Sequence, residues 1–382
     1  MSEWPMVKLK ELMRKTKSID PGKYPDEEFV LYSIPAYDNG IPEKIFGRDI
    51  GSSKILLKDS DVVLSKIVPH IRRTWVITDG EKQIGSSEWI VFNDDRFDPQ
   101  FIANYLKSDV FHYQLLTTVA GMGGSLNRAR PAAVAELKIP LPPLGEQKRI
   151  AEILGQTTKA ISSVQNQIEQ VKKLRSSIVG TASKIAVELR ALSEYFDINP
   201  RQPRNIPDNA PTSFVPMANL DETFGISPIA SQFFKHKKGY TYFENGDILL
   251  AKITPCFENG KSAMAKLSTQ IGHGSTEFHV LRHKNHMHQD VCLSPLLVAA
   301  ILKQPSFLKP AENFMRGSAG QKRIPASYIA SLKVPVLKSV DLEQIDQSLE
   351  IVEVLLNLYR RKLSLLQELQ KSLANRAFAG LL

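Results

Sequence analysis

The chain has 382 residues, of which 42% are hydrophobic and 23% charged, a composition that excludes a disordered or collagen-like protein. This length predicts two or three domains. The excess of Lys and Arg (49) over Asp and Glu (40) gives a net charge of +9, which favours a polyanionic partner such as nucleic acid. Because the sequence contains neither an apolar run of about 18 residues nor an apolar signal block, we expect a cytoplasmic protein.

The first 143 residues predict a globular part made of short strands. Runs of β-branched residues, broken by Gly, Pro, Asn and Asp, predict strands over residues 55–57, 62–68, 75–78 and 88–92. A helix is expected over residues 101–116, packed on these strands.

A long helix is predicted next, at about 145–180. Its apolar residues are spaced alternately by four and three, which is typical of a coiled-coil seam. One extra step of three, from Val171 to Leu174, predicts a stammer. The seam comprises Ile150, Leu154, Thr157, Ile161, Val164, Ile168, Val171, Leu174 and Ile178.

The second half of the chain repeats the first. Residues 314–335 align without a gap with residues 119–140, so that Arg128 corresponds to Arg323, 195 positions later. The same offset predicts a second helix at about 341–376. Its seam comprises Ile345, Leu349, Val352, Leu356, Tyr359, Leu363, Leu366, Leu369 and Leu373.

Two upstream blocks also recur, in the same order along the chain. Residues 61–69 resemble residues 247–255, and residues 85–91 resemble residues 274–280. A conserved order of blocks indicates an internal duplication.

The expected fold class is α+β, with two globular α/β domains related by the duplication and separated by two long antiparallel coiled-coil helices. The predicted segments are residues 1–143, 144–185, 186–338 and 339–382. The helices would bury their apolar stripes against each other, with the globular parts at opposite ends. In the alternative arrangement, each helix packs on its own globular domain.

Catalytic and metal-binding motifs are missing from the sequence. It has no phosphate-binding GxxxxGK[ST] loop and no GxSxG nucleophile elbow. The five histidines at positions 273, 279, 283, 286 and 288 precede Cys292 without the paired ligand spacing of a zinc site. We therefore expect no catalytic residue and no bound metal, and we expect both cysteines to be buried rather than ligating.

Binding chemistry is indicated instead by basic and polar residues where predicted strands end and in two Gly-containing loops. Backbone N–H groups of such loops can approach phosphates, while Arg, Asn and Gln can also hydrogen-bond base edges. Each of these residues could equally be a solvated surface group. The DNA-binding candidates are Lys66, His70, Arg72, Arg73, Ser125, Asn127, Arg128, Arg130, Lys237, Lys238, Lys252, Lys261, Arg316, Gln321, Lys322 and Arg323.

Residues 137–150, which read LKIPLPPLGEQKRI and precede the heptad helix, resemble the specificity subunit of type I restriction-modification systems. The two-copy layout, the segment GDILLAK at 246–252 and the closing AFAGLL at 377–382 extend the resemblance over the full chain. The second copy lacks the double proline, but Glu343 and Gln344 keep the Glu-Gln pair.

The resemblance implies a non-catalytic subunit in which residues 1–143 and 186–338 are target-recognition domains. Each would recognise one half of a bipartite double-stranded DNA target. The helices would dock methyltransferase subunits, expected as two copies, and restriction subunits would join them. S-adenosylmethionine, ATP and Mg²⁺ are expected in those partners, with no cofactor in this chain. Two alternatives are a DNA-binding regulator that acts alone and a coiled-coil scaffold for proteins.

Overall fold

The computed structural model describes residues 4–78, 80–120, 127–221, 225–226, 231–233, 239–284, 291–318 and 320–382. They form two compact units. Unit 1 comprises residues 1–162 and 364–382, and unit 2 comprises residues 163–363. Each unit therefore contains the beginning of one long helix and the end of the other. The four segments predicted from the sequence are bounded by the internal repeat, whereas these two units are defined by their compactness. The predicted division into four segments stays a prediction.

Unit 1 consists mainly of short strands followed by helices. The elements in chain order are β1 (Met6–Lys8), β2 (Ser18–Ile19), β3 (Glu28–Tyr32), α1 (Ile34–Asn39), β4 (Glu43–Phe46), β5 (Lys54–Leu56), β6 (Val62–Ser65), β7 (Thr74–Val76), β8 (Gln83–Gly85), β9 (Trp89–Phe92), α2 (Pro99–Lys107), α3 (Asp109–Leu116), β10 (Val119–Ala120), β11 (Arg128–Ala129), α4 (Pro131–Glu136), β12 (Lys138–Pro140) and the long helix α5 (Leu144–Ile185).

Unit 2 repeats this succession. Its elements are β13 (Glu188–Ala191), α6 (Leu192–Tyr195), β14 (Phe196–Ile198), β15 (Pro211–Val215), β16 (Leu220–Asp221), β17 (Gly225–Ile226), β18 (Ser231–Phe233), β19 (Thr241–Glu244), β20 (Ile248–Ala251), β21 (Ser262–Met264), β22 (Ile271–Gly274), β23 (Phe278–His283), α7 (Pro295–Ile301), α8 (Pro305–Glu312), α9 (Ala326–Ser331), β24 (Lys333–Val336) and the long helix α10 (Ser339–Phe378).

The sheets show the duplication in their strand order. The antiparallel sheet β7-β6-β9 of unit 1 corresponds to β21-β20-β23 of unit 2, to which β14 is added. A parallel pair lies at the same place in the second sheet of each unit, β3 with β8 and β15 with β22. Strand β1 pairs with β12 just before α5, and β13 pairs with β24 just before α10. Two copies of one sequence pattern have thus produced two copies of one topology.

The helix predicted over residues 101–116 is two helices, α2 and α3. Ser108 ends the first and caps the second, since its hydroxyl accepts a hydrogen bond from the Phe111 N–H at 3.2 Å. Ser and Asp favour such N-terminal positions over helix interiors, so the pair Ser108–Asp109 explains the break.

The two long helices pack antiparallel against each other. In unit 1 the end of α10 joins the core at the beginning of α5, where Ala377 and Phe378 share a buried cluster with Ile150 and Leu154. In unit 2 the end of α5 meets the beginning of α10 in the same way, through residues such as Ala182 and Leu349. The prediction of a paired antiparallel coiled coil is confirmed.

The predicted seam residues line this contact. Ile150, Leu154, Val164, Ile168, Val171, Ile345, Leu349, Val352 and Leu356 are buried, and Ile161, Tyr359, Leu363 and Leu366 are half-buried. The predicted stammer is wrong. Leu174 and Leu369 are exposed, and Arg175 and the partly buried Gln370 take the next seam position instead. A step of four to these polar residues keeps the heptad spacing regular.

The beginning of α5 is anchored by Gln147, whose side chain is fully buried. Its amide oxygen accepts from the Asp98 N–H at 2.8 Å, and its amide nitrogen donates to the carbonyls of Arg96 and Pro142 at 3.0 and 2.7 Å. In the second copy, the equivalent position 195 residues later is the buried Leu342. Gln344 is exposed, so it does not repeat the role of Gln147.

None of the helices in the part of the chain that the structure describes is both long enough and apolar enough to cross a membrane.

Candidate nucleic-acid interface

Three candidates of the first copy, Lys66, Asn127 and Arg128, meet where β6, β9 and β11 lie side by side. The Lys66 N–H donates to the carbonyl of Glu88 at 2.9 Å, and the Lys66 carbonyl accepts from the Ala129 N–H at 2.8 Å. Arg128 and its neighbour Asn127 are thereby held beside the end of β6. We call Lys66, Glu88, Asn127 and Arg128 the first strand-end cluster.

The side chains of this cluster combine one acidic and two basic groups. Arg128 donates to Glu88 Oε1 at 3.1 Å, and the arginine side chain remains 63% exposed. Solvent weakens an ion pair of this kind, so the guanidinium can also contact a phosphate.

After Lys66 the chain turns sharply and presents His70. Val68 and Arg72 have φ values of +47° and +57°, and a single turn of 3₁₀ helix, Pro69–Ile71, lies between them. His70 is exposed on this turn. A bulky residue with positive φ is uncommon and needs support from its surroundings.

Arg72 and Arg73 are each paired with a carboxylate. Arg72 donates to Asp109 at 2.6 Å, and this contact lowers the pKa of Asp109. Arg73 is buried and donates to both oxygens of Asp38 at 2.7 Å, which raises the pKa of the arginine and lowers that of Asp38. The structure therefore places Arg73 inside unit 1, away from the exposed surface of the strand-end cluster.

Two further candidates follow β10 in the sequence. Arg130 is exposed, and its Nε lies 3.4 Å from the carbonyl of Thr118. Ser125 and the Gly-rich residues 121–126 lie outside the described residues, so the structure says nothing of their place.

The second copy contains the same arrangement. The Lys252 N–H donates to the carbonyl of Glu277 at 2.9 Å, and the Lys252 carbonyl accepts from the Ile324 N–H at 2.9 Å. The Thr254 N–H donates to the carbonyl of Lys322 at 3.0 Å. We call Lys252, Glu277, Lys322 and Arg323 the second strand-end cluster.

Arg323 makes two hydrogen bonds to its glutamate, whereas Arg128 makes one. Its Nε and Nη2 donate to the two oxygens of Glu277 at 2.9 and 2.8 Å, and these bonds hold the pKa of Glu277 below its ordinary value. The backbone of Arg323 also pairs with that of Arg316 through bonds of 2.8 and 2.9 Å. Arg316, Gln321 and Lys322 are exposed around this narrow hairpin.

Of the remaining second-copy candidates, the structure describes Lys261. Lys261 is half-buried, and its backbone bonds to Ala251 and Cys256 rather than to the cluster. Lys237 and Lys238 lie outside the described residues.

His279 is part of the buried structure of unit 2. His279 is 5% exposed, and its Nε2 lies 2.9 Å from the carbonyl of Ile324, directly beside Arg323. Asn199 lies 3.1 Å from its Nδ1, and burial lowers the pKa of the ring. Within the described ranges, no group of three or more His, Cys, Asp or Glu residues could hold a metal ion. His286 and His288 lie outside those ranges.

The glutamates of the two clusters were not among the predicted site residues. A signal for them was present, because Glu88 and Glu277 occupy the same position in the repeated blocks 85–91 and 274–280. Only the folded chain shows that each faces the arginine of another repeated block. In both clusters the paired glutamate and arginine are thus separated by about 40 positions or more in the sequence.

The fold and the paired clusters define a duplicated α+β protein with a long antiparallel helix pair and one basic-acidic cluster in each copy. Residues 1–173 match the type I restriction modification DNA specificity domain. The resemblance to the specificity subunits of type I restriction-modification systems, predicted from the sequence, is thus supported over residues 1–173.

Two curated proteins from Escherichia coli are similar to part of this chain. The chain is 40% identical over 147 residues to the type I restriction enzyme EcoEI specificity subunit and 40% identical over 151 residues to the EcoAI specificity subunit. These matches cover 38% and 39% of this chain but only 24% and 25% of the relatives, so the aligned region spans about a quarter of their length.

A solved structure extends the likeness in fold to nearly the whole chain. The type I restriction-modification S subunit from M. genitalium aligns with a TM-score of 0.57, covering 98% of this chain and 96% of that one at 14% identity. At that identity the alignment shows the shared fold.

Proposed function

We propose that this chain is the DNA-recognition subunit of a type I restriction-modification assembly. Each strand-end cluster would contact one half of a bipartite target. The observation that carries the proposal is the repetition of the cluster: lysine, glutamate and arginine recur with the same backbone bonds in both copies. One recognition site per copy is what a two-part target requires.

Within each cluster, the lysine and arginine would bind phosphates, since both are strong charge-assisted donors. The glutamate would hold the arginine in one orientation. The half-buried Asn127 of the first cluster and the exposed Gln321 beside the second cluster are of the type that hydrogen-bonds base edges.

We propose that the chemistry belongs to partner subunits. Methyltransferase subunits, two of them, would supply S-adenosylmethionine and adenine methylation, and restriction subunits would supply ATP- and Mg²⁺-dependent steps. This chain would direct them to the target and would bind no cofactor itself.

A domain exchange tests the proposal. Replacing residues 1–143 by the equivalent residues of another family member should change one half-site and leave the other half-site intact. Sequencing of methylated adenines in cells that carry the chimera measures both half-sites. A change in both half-sites, or methylation independent of this chain, would contradict the proposed division of labour.

A further inference from the structure

Ile71 lies in a rigid turn beside the first strand-end cluster. The turn joins β6 to β7, and it contains the 3₁₀ helix Pro69–Ile71 between Val68 and Arg72. Both flanking residues have positive φ, which costs free energy for residues other than glycine. Such strain persists where the surrounding structure holds the backbone in place, and it concentrates at functional sites. This turn is therefore a candidate for a functional role.

Hydrogen bonds to neighbouring segments fix the turn. The Val68 N–H donates to the carbonyl of Asn127 at 3.0 Å, which ties the turn to the cluster. Within the turn, the Ile71 N–H donates to the carbonyl of Val68 at 3.0 Å. At the other end, the Arg72 side chain donates to the carbonyl of Lys107 at 3.2 Å, besides its bond to the carboxylate at the beginning of α3. The turn is thus held in one conformation next to the cluster.

The turn leaves an aliphatic side chain in water. Ile71 is 45% exposed, although a large aliphatic residue gains free energy from burial. His70 beside it is exposed as well. These two side chains form the outward end of the turn, on the part of unit 1 that carries the first strand-end cluster.

The corresponding turn of the second copy buries its apolar residue. The pairing of β20 with β21 shows a turn two residues longer than the one between β6 and β7. Phe257 comes two residues after Pro255, as Ile71 comes two residues after Pro69. Phe257 is fully buried, and its ring centroid lies 5.8 Å from that of Phe307. The duplicated fold therefore allows an apolar residue of this turn to be buried, and it does not impose the exposure of Ile71.

We propose that Ile71 determines specificity by contacting the C5 methyl group of a thymine in the first half-site, the half of the target that the first copy recognises. Thymine presents this methyl group in the major groove, where apolar side chains distinguish it by contact. The lysine and arginine of the cluster bind phosphates and set the position of the DNA, and the rigid turn holds Ile71 against one base. The inference rests on the proposed function. It adds an apolar base contact that the buried Phe257 of the second copy cannot make.

Deoxyuridine tests this contact, because it differs from thymidine only by lacking the C5 methyl group. Once methylated adenines in cells have given the target, the thymines of the first half-site are replaced one at a time in double-stranded DNA. Fluorescence anisotropy then measures binding by the full chain. One replacement should weaken binding by the wild-type chain about three- to fivefold, as expected for one buried methyl group. Ile71→Ala should bind the thymine target with a similar loss and should lose nothing further on that replacement.

Two variants serve as controls. Leu144→Ala truncates an aliphatic side chain of nearly equal exposure, 42%, at the beginning of α5. It should keep the wild-type affinity and the full deoxyuridine penalty. His70→Ala changes the other outward residue of the turn, and it should keep the penalty whatever its affinity. Because Ile71 is exposed, Ile71→Ala should unfold at nearly the wild-type urea concentration.

The outcomes separate the contact from the proposed function. A wild-type chain that prefers its target but tolerates deoxyuridine at every position of the first half-site overturns the contact and leaves the proposed function intact. An undiminished penalty in Ile71→Ala does the same. In cells, Ile71→Ala should relax one position of the first half-site and none of the second, so unaltered methylation sites also overturn the contact. If the wild-type chain shows no preference for the target, the proposed function fails together with the contact.

Discussion

Arg175 lies in the buried seam of unit 2 with its Nη1 3.5 Å from Oε1 of Glu353. The positions 195 residues away from these two are occupied by Gln370 and Thr158, and there the Gln370 amide donates to the Thr158 hydroxyl at 2.8 Å. One pair of positions in the duplicated helices therefore holds an ion pair in unit 2 and a neutral hydrogen bond in unit 1. Polar pairs within an apolar seam fix which residues face each other, so the two contacts set the register of the helix pair.

The ion pair gives the first prediction. Arg175 is only 5% exposed, so Glu353→Ala would leave a buried guanidinium without its carboxylate. We expect a loss of about 2–5 kcal/mol in the free energy of unfolding, measured by urea titration. Replacing both residues by Met should recover most of that loss, because the buried charge is removed as well.

The unit 1 pair supplies the comparison. Gln370→Ala removes one neutral, solvent-accessible hydrogen bond and should cost no more than about 1.5 kcal/mol. Equal losses for Glu353→Ala and Gln370→Ala would contradict the argument that the cost arises from burying an unpaired charge.

The second prediction concerns the anchor of α5. Gln147→Ala removes three hydrogen bonds and leaves the Asp98 N–H and the carbonyls of Arg96 and Pro142 without this partner. We expect a loss of about 2–4 kcal/mol in the free energy of unfolding, from unmade hydrogen bonds and a small cavity.

Gln344→Ala is the control for this anchor, since Gln344 is the exposed glutamine of the second copy's Glu-Gln pair. It should change stability by no more than about 0.5 kcal/mol. A large loss at Gln344 would mean that the second Glu-Gln pair anchors α10 after all.

The sequence predicts the helix pair but not every residue of its seam. The duplication, the paired helices and most of the seam follow from the spacing of apolar residues. The seam position at Arg175 cannot be predicted in this way. A polar residue interrupts the apolar pattern there, and the neighbouring apolar residue Leu174 is mistaken for the next seam residue. The charge of Arg175 is buried beside the carboxylate of Glu353, which lies on the other helix.

Backbone detail and the site were predictable to different extents. The strand expected over residues 62–68 ends at Ser65, because Val68 turns with positive φ to start a 3₁₀ helix. At the clusters, the basic residues stood out by charge and position. Their glutamate partners did not, because pairing Arg128 with Glu88 depends on how two distant segments meet in the sheet.

The third prediction is a dependence of stability on pH. Burial holds the pKa of His279 below its ordinary value, so the unfolded chain binds a proton more readily than the folded chain does. The contribution of the neutral ring is complete above the unfolded pKa of about 6.5 and is lost as the pH falls towards the folded pKa. Unfolding free energies measured between about pH 8 and pH 5 should therefore decline in this window.

His279→Gln tests the assignment. Its destabilisation relative to wild type should be greater at pH 8 than at pH 5, because only the wild-type chain loses this contribution on acidification. A pH-independent difference would show that His279 does not change protonation on unfolding.

The last prediction concerns the arginines of the two clusters. If Arg128 and Arg323 each bind a phosphate, Ala at either position should weaken DNA binding at low salt. The slope of log affinity against log salt concentration should become shallower by about 1. Fluorescence anisotropy with double-stranded DNA at several salt concentrations measures both quantities. Arg96→Ala is a suitable control, because Arg96 is a surface arginine paired with Asp94 in unit 1, outside both clusters.

The glutamate complicates this experiment, because Arg323→Ala would leave Glu277 facing the DNA as an unpaired negative charge. Combining Arg323→Ala with Glu277→Gln removes that repulsion and isolates the lost phosphate contact. The double variant should bind more tightly than Arg323→Ala alone but should keep the shallower salt slope. If the double variant instead regains the wild-type slope, Arg323 makes no phosphate contact, and its two bonds to Glu277 serve only to hold the hairpin at Arg316 in place.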